Sequence, residues 1–188
     1  MKELEEKILK EGVILKGDVL KVGSFINQKV DIQLLRNMAK EVKRLFNCEV
    51  TKILTIEASG IAFATAIGLE FDVPVVFAKK SKTSNVDGEL VYASVHSYTH
   101  NTTNLISINK EYITRDDKVL IADDFLANGN ALAGLIEIVE KCGGKVVGAA
   151  IEIEKCYQSG GDRIRALGYR VESLASIVEM TENKIVFK

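Results

Sequence analysis

The chain has 188 residues, 47% hydrophobic and 27% charged, with a formal net charge of −1. That length suits a single domain with a core of its own, and a charge so close to zero excludes a global field that would recruit nucleic acid or an anionic membrane. The three cysteines, Cys48, Cys142 and Cys156, are far apart and odd in number, which argues against a disulfide framework and fits a reducing cytosol.

The first residues, Met1 to Glu6, are charged rather than an apolar signal core, and no run has the length to span a bilayer. The expected location is therefore the cytoplasm. Leu4, Ile8 and Leu9 have helical spacing over Lys2 to Glu11, with Gly12 as the stop. Val13 to Leu15 and Val19 to Val22 read as two short extended pieces around a polar turn at Lys16-Gly17-Asp18. Ser24 to Gln28 reads as an irregular link. Asp31 can cap the next helix, whose apolar face is Leu35, Met38, Ala39, Val42, Leu45 and Phe46.

Ile53 to Ile56 opens the core sheet and meets a helix, Ile61 to Leu69, through Glu57-Ala58-Ser59-Gly60. Such a loop lets consecutive N–H groups converge on an anion. Pro74 starts a strand, Val75 to Ala78, and the basic cluster Lys79-Lys80-Ser81-Lys82 follows it. In an open α/β sheet the C-terminal strand end faces the ligand crevice, although lysine runs are also ordinary solvated surface. From Thr83 to Asn104 the chain turns polar, and alternation over Leu90 to Tyr98 allows a hairpin, which inside a compact domain is often a lid. Leu105 to Ile108 is then expected to return to the sheet. His96 and His100 share this polar stretch with no cysteine or acidic cluster nearby, so a structural zinc site is not expected.

The most informative stretch is Val119 to Ala131. Four apolar residues read as a strand buried on both faces. Asp123 and Asp124 stand where that strand should end, a small-residue loop follows, and Leu132, Leu135, Ile136, Val139 and Cys142 mark a helix stopped at Gly143-Gly144. Strand, acids, loop and helix N-terminus together offer N–H donors to an anion and carboxylate acceptors to hydroxyls beside it. Phosphate and diol together suggest a sugar phosphate. Beyond it come a strand, Lys145 to Glu154, ending at Lys155-Cys156-Tyr157-Gln158, a short helix, Asp162 to Leu167, and a last strand, Tyr169 to Leu174. The alternation predicts an α/β fold with a mainly parallel sheet.

The Asp123-Asp124-Phe125-Leu126-Ala127-Asn128-Gly129 run resembles the phosphoribosyl-pyrophosphate (PRPP) motif of the type I phosphoribosyltransferases. The usual loop of that family reads Thr-Thr-Gly-Gly-Thr, and Ala127-Asn128-Gly129-Asn130-Ala131 departs from it. In this departure the run is similar to the xanthine-using members of bacterial purine salvage, and the likeness extends from Glu11 to Ala175.

The resemblance implies a type I phosphoribosyltransferase fold as one domain over residues 1–188: a mainly parallel central sheet flanked by helices, a base-capping segment at about 1–30 and a flexible hood at about 84–104. It implies transfer of the phosphoribosyl group from PRPP to xanthine, giving xanthosine 5′-monophosphate and pyrophosphate, in a homodimer. Asp123 and Asp124 would accept the ribose hydroxyls. Ala127, Asn128, Gly129, Asn130 and Ala131 would hold the 5′-phosphate, while Ala58, Ser59 and Gly60 with Lys79 or Lys80 would receive pyrophosphate. Leu20, Asn27, Lys155 and Tyr157 would contact the base, and Ser97 and Tyr98 in the hood would shield the reaction centre. For Lys155 the alternative is a surface lysine paired with Glu152 or Glu154.

Magnesium is expected on the PRPP oxygens, held mostly by substrate and water, with no metal site built from protein ligands. Two other functions stay open. One is transfer to guanine or hypoxanthine. The other is a non-catalytic PRPP-sensing purine regulator, which would need a DNA-binding domain and basic surface that this composition lacks.

Overall fold

A computed structural model describes residues 1–80, 88–97 and 102–188, with backbone alone at 96, 97, 102 and 103. The N-terminal helix α1 (Lys2–Glu11) leads into a small antiparallel hairpin, β1 (Val13–Leu15) and β2 (Val19–Lys21). The link that reads as irregular in sequence is a single π-helical turn, Gly23–Asn27, with Phe25 and Ile26 buried. Asp31 caps α2 (Ile32–Leu45) as expected, its side chain accepting from the Leu34 N–H. The buried face of α2 includes Leu34, whereas Leu35 and Leu45 are only partly buried.

β3 (Lys52–Ile56), α3 (Gly60–Phe71) and β4 (Val75–Ala78) follow. Next come β5 (Leu90–Ser97), β6 (Thr102–Asn109), β7 (Lys118–Leu126), α4 (Asn130–Lys141) and β8 (Lys145–Lys155). The chain closes with α5 (Gly160–Ala166), β9 (Val171–Thr181) and β10 (Lys184–Phe187). The central sheet has six strands in the order β10-β9-β8-β7-β3-β4. All neighbours are parallel except β10, which pairs antiparallel with β9. The last strand is thus longer than expected and turns back as an additional edge strand.

β7 shows why its apolar residues are continuous. Leu120 and Ala122 enter one core with α1, α2 and α3, while Val119 and Ile121 enter the other with α4 and the β5–β6 hairpin. A strand covered on both faces has no solvent side on which to place polar residues. Pairing with β8 continues through Leu126↔Glu154. Asp123 and Asp124 therefore lie inside an extended β7 rather than at its end, because β8 continues to offer backbone partners beyond them.

Leu105 to Ile108 does not join the central sheet. It is part of β6, which pairs along its whole length with β5 in a separate hairpin, tied to the end of β4 by a Lys79↔Ser107 bridge. The base of the hairpin packs on α4: a Cβ at Gly134 would lie 2.7 Å from Val95 Cγ2, and the Lys141 ammonium donates to the Tyr92 carbonyl at 2.7 Å. Tyr98 and part of the expected hood (84–87 and 98–101) lie outside the described residues, as do residues 81–83 and the side chain of Ser97.

α5 is fastened to β8 by an ion pair rather than by an apolar stripe. Both guanidinium nitrogens of Arg165 donate to the Glu154 carboxylate at 2.8 Å, and Ser173 adds a hydroxyl donor. Burial alone would raise the Glu154 carboxyl, but the Arg165 and Ser173 hydrogen bonds outweigh it and hold the group below its ordinary value. Removing Arg165 would leave a carboxylate only 1% exposed without its partner. Breaking a fully buried pair costs about 3–5 kcal/mol; since the Arg165 side chain is 38% exposed, Arg165→Ala should cost about 2 kcal/mol. Urea denaturation measures it.

Candidate active site

Strand order divides between β3 and β7. From β3 the chain runs outward to β4, then returns to the other side of β3 as β7 and proceeds to β8 and β9. Open α/β sheets gather ligands at such a switch point, outside the carboxyl ends of the strands. A cleft of about 1050 Å³ lies here, lined by Ser59 after β3, Lys80 after β4, Asp123 to Ala131 from β7 into α4, Lys155 at the end of β8 and Gln158 beyond it. Gly17, Asp18, Val19 and Leu20 of the β1–β2 hairpin form the wall at the Lys155 end.

Two helices begin at the cleft without a side-chain cap. α4 starts behind Gly129 and α3 behind Ser59, and neither residue's side chain satisfies a first-turn N–H. Those N–H groups and the positive helix ends suit anions. The Ala127–Gly129 backbone is held from below by Gly160, whose own N–H donates to the Ala127 carbonyl at 3.1 Å. A Cβ at Gly160 would stand 2.1 Å from that oxygen and 2.5 Å from the Gly129 nitrogen. Gly129 itself has φ +78°, a conformation L side chains rarely adopt. On the loop's far side the Arg163 guanidinium donates to Asn130 Oδ1 at 2.9 Å.

The acid pair is buried, Asp123 at 5% and Asp124 at 8% exposure. Asp123 Oδ1 accepts the Asp124 N–H at 3.0 Å. Burial first, then the charge of Asp124, push the Asp123 carboxyl well above its ordinary value, against an opposing pull from Lys80. A third carboxylate, Glu152 on β8, is 2% exposed, and its Oε2 has no hydrogen-bond partner. It too is raised by burial and by the charges of Asp124 and Asp123. The buried hydroxyl of Thr55 on β3 is likewise unpartnered. No three histidine, cysteine or acidic side chains are grouped as a metal site among the described residues.

The structure sorts the residues picked from sequence. Ser59, Lys80, Asp123, Asp124, Ala127 to Ala131, Leu20 and Lys155 line one cleft. Lys79 does not; its backbone is occupied by the bridge to Ser107. Ala58 and Gly60 flank Ser59 outside the lining, and Asn27 is exposed on the π-helical turn. Lys155 pairs with neither Glu152 nor Glu154: its ammonium donates to the Asp18 backbone carbonyl and lies 5.9 Å from the centre of the Phe125 ring. Burial lowers the Lys155 ammonium, and Asp18 partly offsets that. Tyr157 sits beside the cleft, donating to Asp18 Oδ1. Sequence reading missed Asp18, Gln158, Gly160 and Glu152. Only the Gly160-Gly161 doublet carried a signal, since two glycines before a short helix can mark close backbone approach.

The family model described as "Phosphoribosyl transferase domain" matches residues 26–183. A xanthine phosphoribosyltransferase of Limosilactobacillus reuteri is 50% identical over 188 residues, covering 100% of this chain and 98% of that one. Xanthine phosphoribosyltransferase 2 of Clostridium botulinum is 47% identical over 190 residues and covers 100% of both. Among solved structures, the adenine phosphoribosyltransferase of Giardia lamblia, in complex with 9-deazaadenine, superposes with TM-score 0.80 at 19% identity over 95% of this chain and 98% of that one. The adenine enzyme of Rhodothermus marinus gives TM-score 0.77 at 23% identity, covering 94% and 99%. At such identities the structural likeness establishes the fold.

Two outcomes follow from this geometry. Gly160→Ala, by driving a methyl into the Ala127–Gly129 backbone, should weaken phosphate or PRPP binding at least ~10-fold, whereas Asn130→Ala should change it only a fewfold; calorimetric titration measures both. The raised carboxyls set a sign for pH. A carboxyl whose folded value lies above its unfolded one binds more protons in the native state, so stability falls as pH rises between the two values. Glu152→Gln removes one such group, and its melting temperature should exceed that of the unaltered protein by more at pH 8 than at pH 5, with each kcal/mol appearing as about 2–4 °C. Thermal melts at the two pH values check it.

Proposed function

The chain belongs to the phosphoribosyl transferase domain family, and from that premise we propose that it transfers the phosphoribosyl group of PRPP to xanthine, forming xanthosine 5′-monophosphate and pyrophosphate in purine salvage. The observation that carries the reading is the continuity of one cleft: two uncapped helix N-termini, an acid pair between them, and a lysine beyond. PRPP has a phosphate at one end and a pyrophosphate at the other, and the distribution of donors suits both ends.

In the reaction the bond from the ribose anomeric carbon to pyrophosphate breaks while a bond from the purine nitrogen to that carbon forms. The carbon gains oxocarbenium character, so no protein nucleophile is required, and the protein's work is placement and electrostatic stabilisation. Asp123 and Asp124 accept the ribose hydroxyls and keep negative charge beside the developing cation. Backbone N–H groups of Ala127 to Ala131 hold the 5′-phosphate. The Ala58-Ser59-Gly60 loop and the Lys80 ammonium receive the departing pyrophosphate. Lys155 donates to the oxo groups of the base, against the apolar surface of Leu20; adenine, with an amino group in place of the six-oxo acceptor, is disfavoured there.

Magnesium would be carried in by the substrate: Asp123 and Asp124 line the cleft, Glu152 is buried outside its lining, and among the described residues no three histidine, cysteine or acidic side chains are grouped as a metal site. When bound, magnesium neutralises charge on the pyrophosphate leaving group. The hairpin of β5 and β6, whose Val95 and Asn104 reach the cleft, serves as the hood, and the β1–β2 hairpin with the π-helical turn caps the base. A cytoplasmic homodimer is part of this proposal on family grounds. No helix among the described residues is long and apolar enough to cross a membrane.

The discriminating experiment supplies PRPP and magnesium with xanthine, guanine, hypoxanthine or adenine and follows nucleotide formation. Highest kcat/KM with xanthine is expected; a strong preference for guanine or hypoxanthine would overturn the base assignment, and no nucleotide from any purine would point to a PRPP-binding regulator. Asp123→Asn and Asp124→Asn should remain folded and each lower kcat/KM about 100-fold or more. Steady-state rates with circular dichroism check both halves of that expectation.

A further inference from the structure

Three side chains from the segment after β8 converge on a single residue of the β1–β2 turn. The Lys155 ammonium donates to the Asp18 backbone carbonyl. The Tyr157 hydroxyl donates to Asp18 Oδ1 at 2.8 Å, and the Gln158 amide donates to Asp18 Oδ2 at 2.5 Å. Both carboxylate oxygens of Asp18 and its carbonyl are thus committed to one neighbouring segment. Gly17 and Asp18 also adopt φ of +80° and +67°, a conformation that carries a cost for an L residue. A turn so shaped and so clamped is fixed against the body of the protein. The residues on either side of the clamp, Leu20 and Lys155, line the end of the cleft away from the phosphate loop.

We propose that Asp18 is a positioning residue for the purine: its carboxylate, gripped by Tyr157 and Gln158, fixes the turn so that the Asp18 carbonyl takes one donor of the Lys155 ammonium and aims the remaining two at the base. This rests on the reading that the base lies at the Lys155 end of the cleft. The chemistry favours that arrangement over a purely structural turn. An ammonium has three donors and a flexible four-carbon stem, so a lysine that must read two oxo groups benefits from an acceptor that restricts its rotamers. The clamp also gives Tyr157 a different part from direct base contact. Its hydroxyl is spent on Asp18, and it acts on the base through that residue. Burial lowers the Lys155 ammonium, and the Asp18 charge partly opposes this.

Steady-state kinetics on the full chain tests this with Asp18→Ala, Asp18→Asn, Tyr157→Phe and Gln158→Ala, and with the last two combined with Asp18→Ala. Loss of the clamp should raise the KM for xanthine about 10-fold, while kcat and the calorimetric Kd for PRPP stay within about twofold. Asp18→Asn, whose amide oxygen still accepts from Tyr157, should fall between wild type and Asp18→Ala. Tyr157→Phe and Gln158→Ala should add nothing once Asp18 is alanine, because both act through it. Hydrogen exchange over residues 13–21 should accelerate in Asp18→Ala without ligand. Unchanged KM for the base, equal losses for base and PRPP, or fully additive double variants would each overturn the proposal. The two readings separate cleanly: wild-type rates across the purines judge the base assignment, and the variant-to-wild-type KM ratio for whichever purine is used judges Asp18.

Discussion

Adjacent carboxylates inside a strand buried on both faces are electrostatically unfavourable, and the architecture of the cleft is organised around that cost. Asp123 and Asp124 line the cleft yet are only 5% and 8% exposed, because β8 pairs alongside β7 and both faces of the sheet are covered. Glu152 adds a third carboxylate with an unpartnered oxygen. Burial and the neighbouring carboxylate charges push the Asp123 and Glu152 carboxyls well above their ordinary values. Under the proposed function, a ligand bearing hydroxyl donors would offset part of that cost.

The anion sites depend on supports remote from the ligand. The Ala127–Gly129 backbone passes so close to position 160 that nothing larger than glycine fits beneath it. Gly160 is placed by α5, and α5 is seated by the Arg165–Glu154 pair, itself at the carboxyl end of β8. A Cβ at Gly161 would meet Glu154 Oε1 at 1.9 Å, so the same glycine doublet serves the loop on one side and the ion pair on the other. The support of this loop thus extends from β7 through a short helix to β8.

At the opposite end the β1–β2 hairpin is a small structure with little core of its own. Val13, Leu15 and Val19 are exposed, while Leu20 is buried among the residues that back the cleft. What fastens its tip is polar: the three donors from Lys155, Tyr157 and Gln158 to Asp18. The two ends of the cleft are thus built on different principles. The anion end uses fixed backbone and helix termini, which tolerate little change. The other end uses side chains on a clamped turn.

Local pattern was enough for much of this protein. The apolar run before Asp123, the glycines around the loop, the Asp31 cap and the 3.6-residue spacing of α1, α2 and α4 are short-range signals. They specify elements and the loop before α4 because helix capping, buried strands and positive-φ turns are set by neighbouring residues. Tertiary structure decided the rest. Leu105 to Ile108 is as apolar as a sheet strand, and only its pairing with β5 and packing on Gly134 assign it to the hairpin. Lys79 and Lys80 are indistinguishable in sequence until the bridge to Ser107 takes the backbone of one and leaves the other lining the cleft. Asp18 lies 137 residues from Lys155 in the chain, and Gly160 lies 31 from Gly129. No local pattern could join either pair, because contact between distant segments is fixed by strand order and by which backbone must pass closest to which.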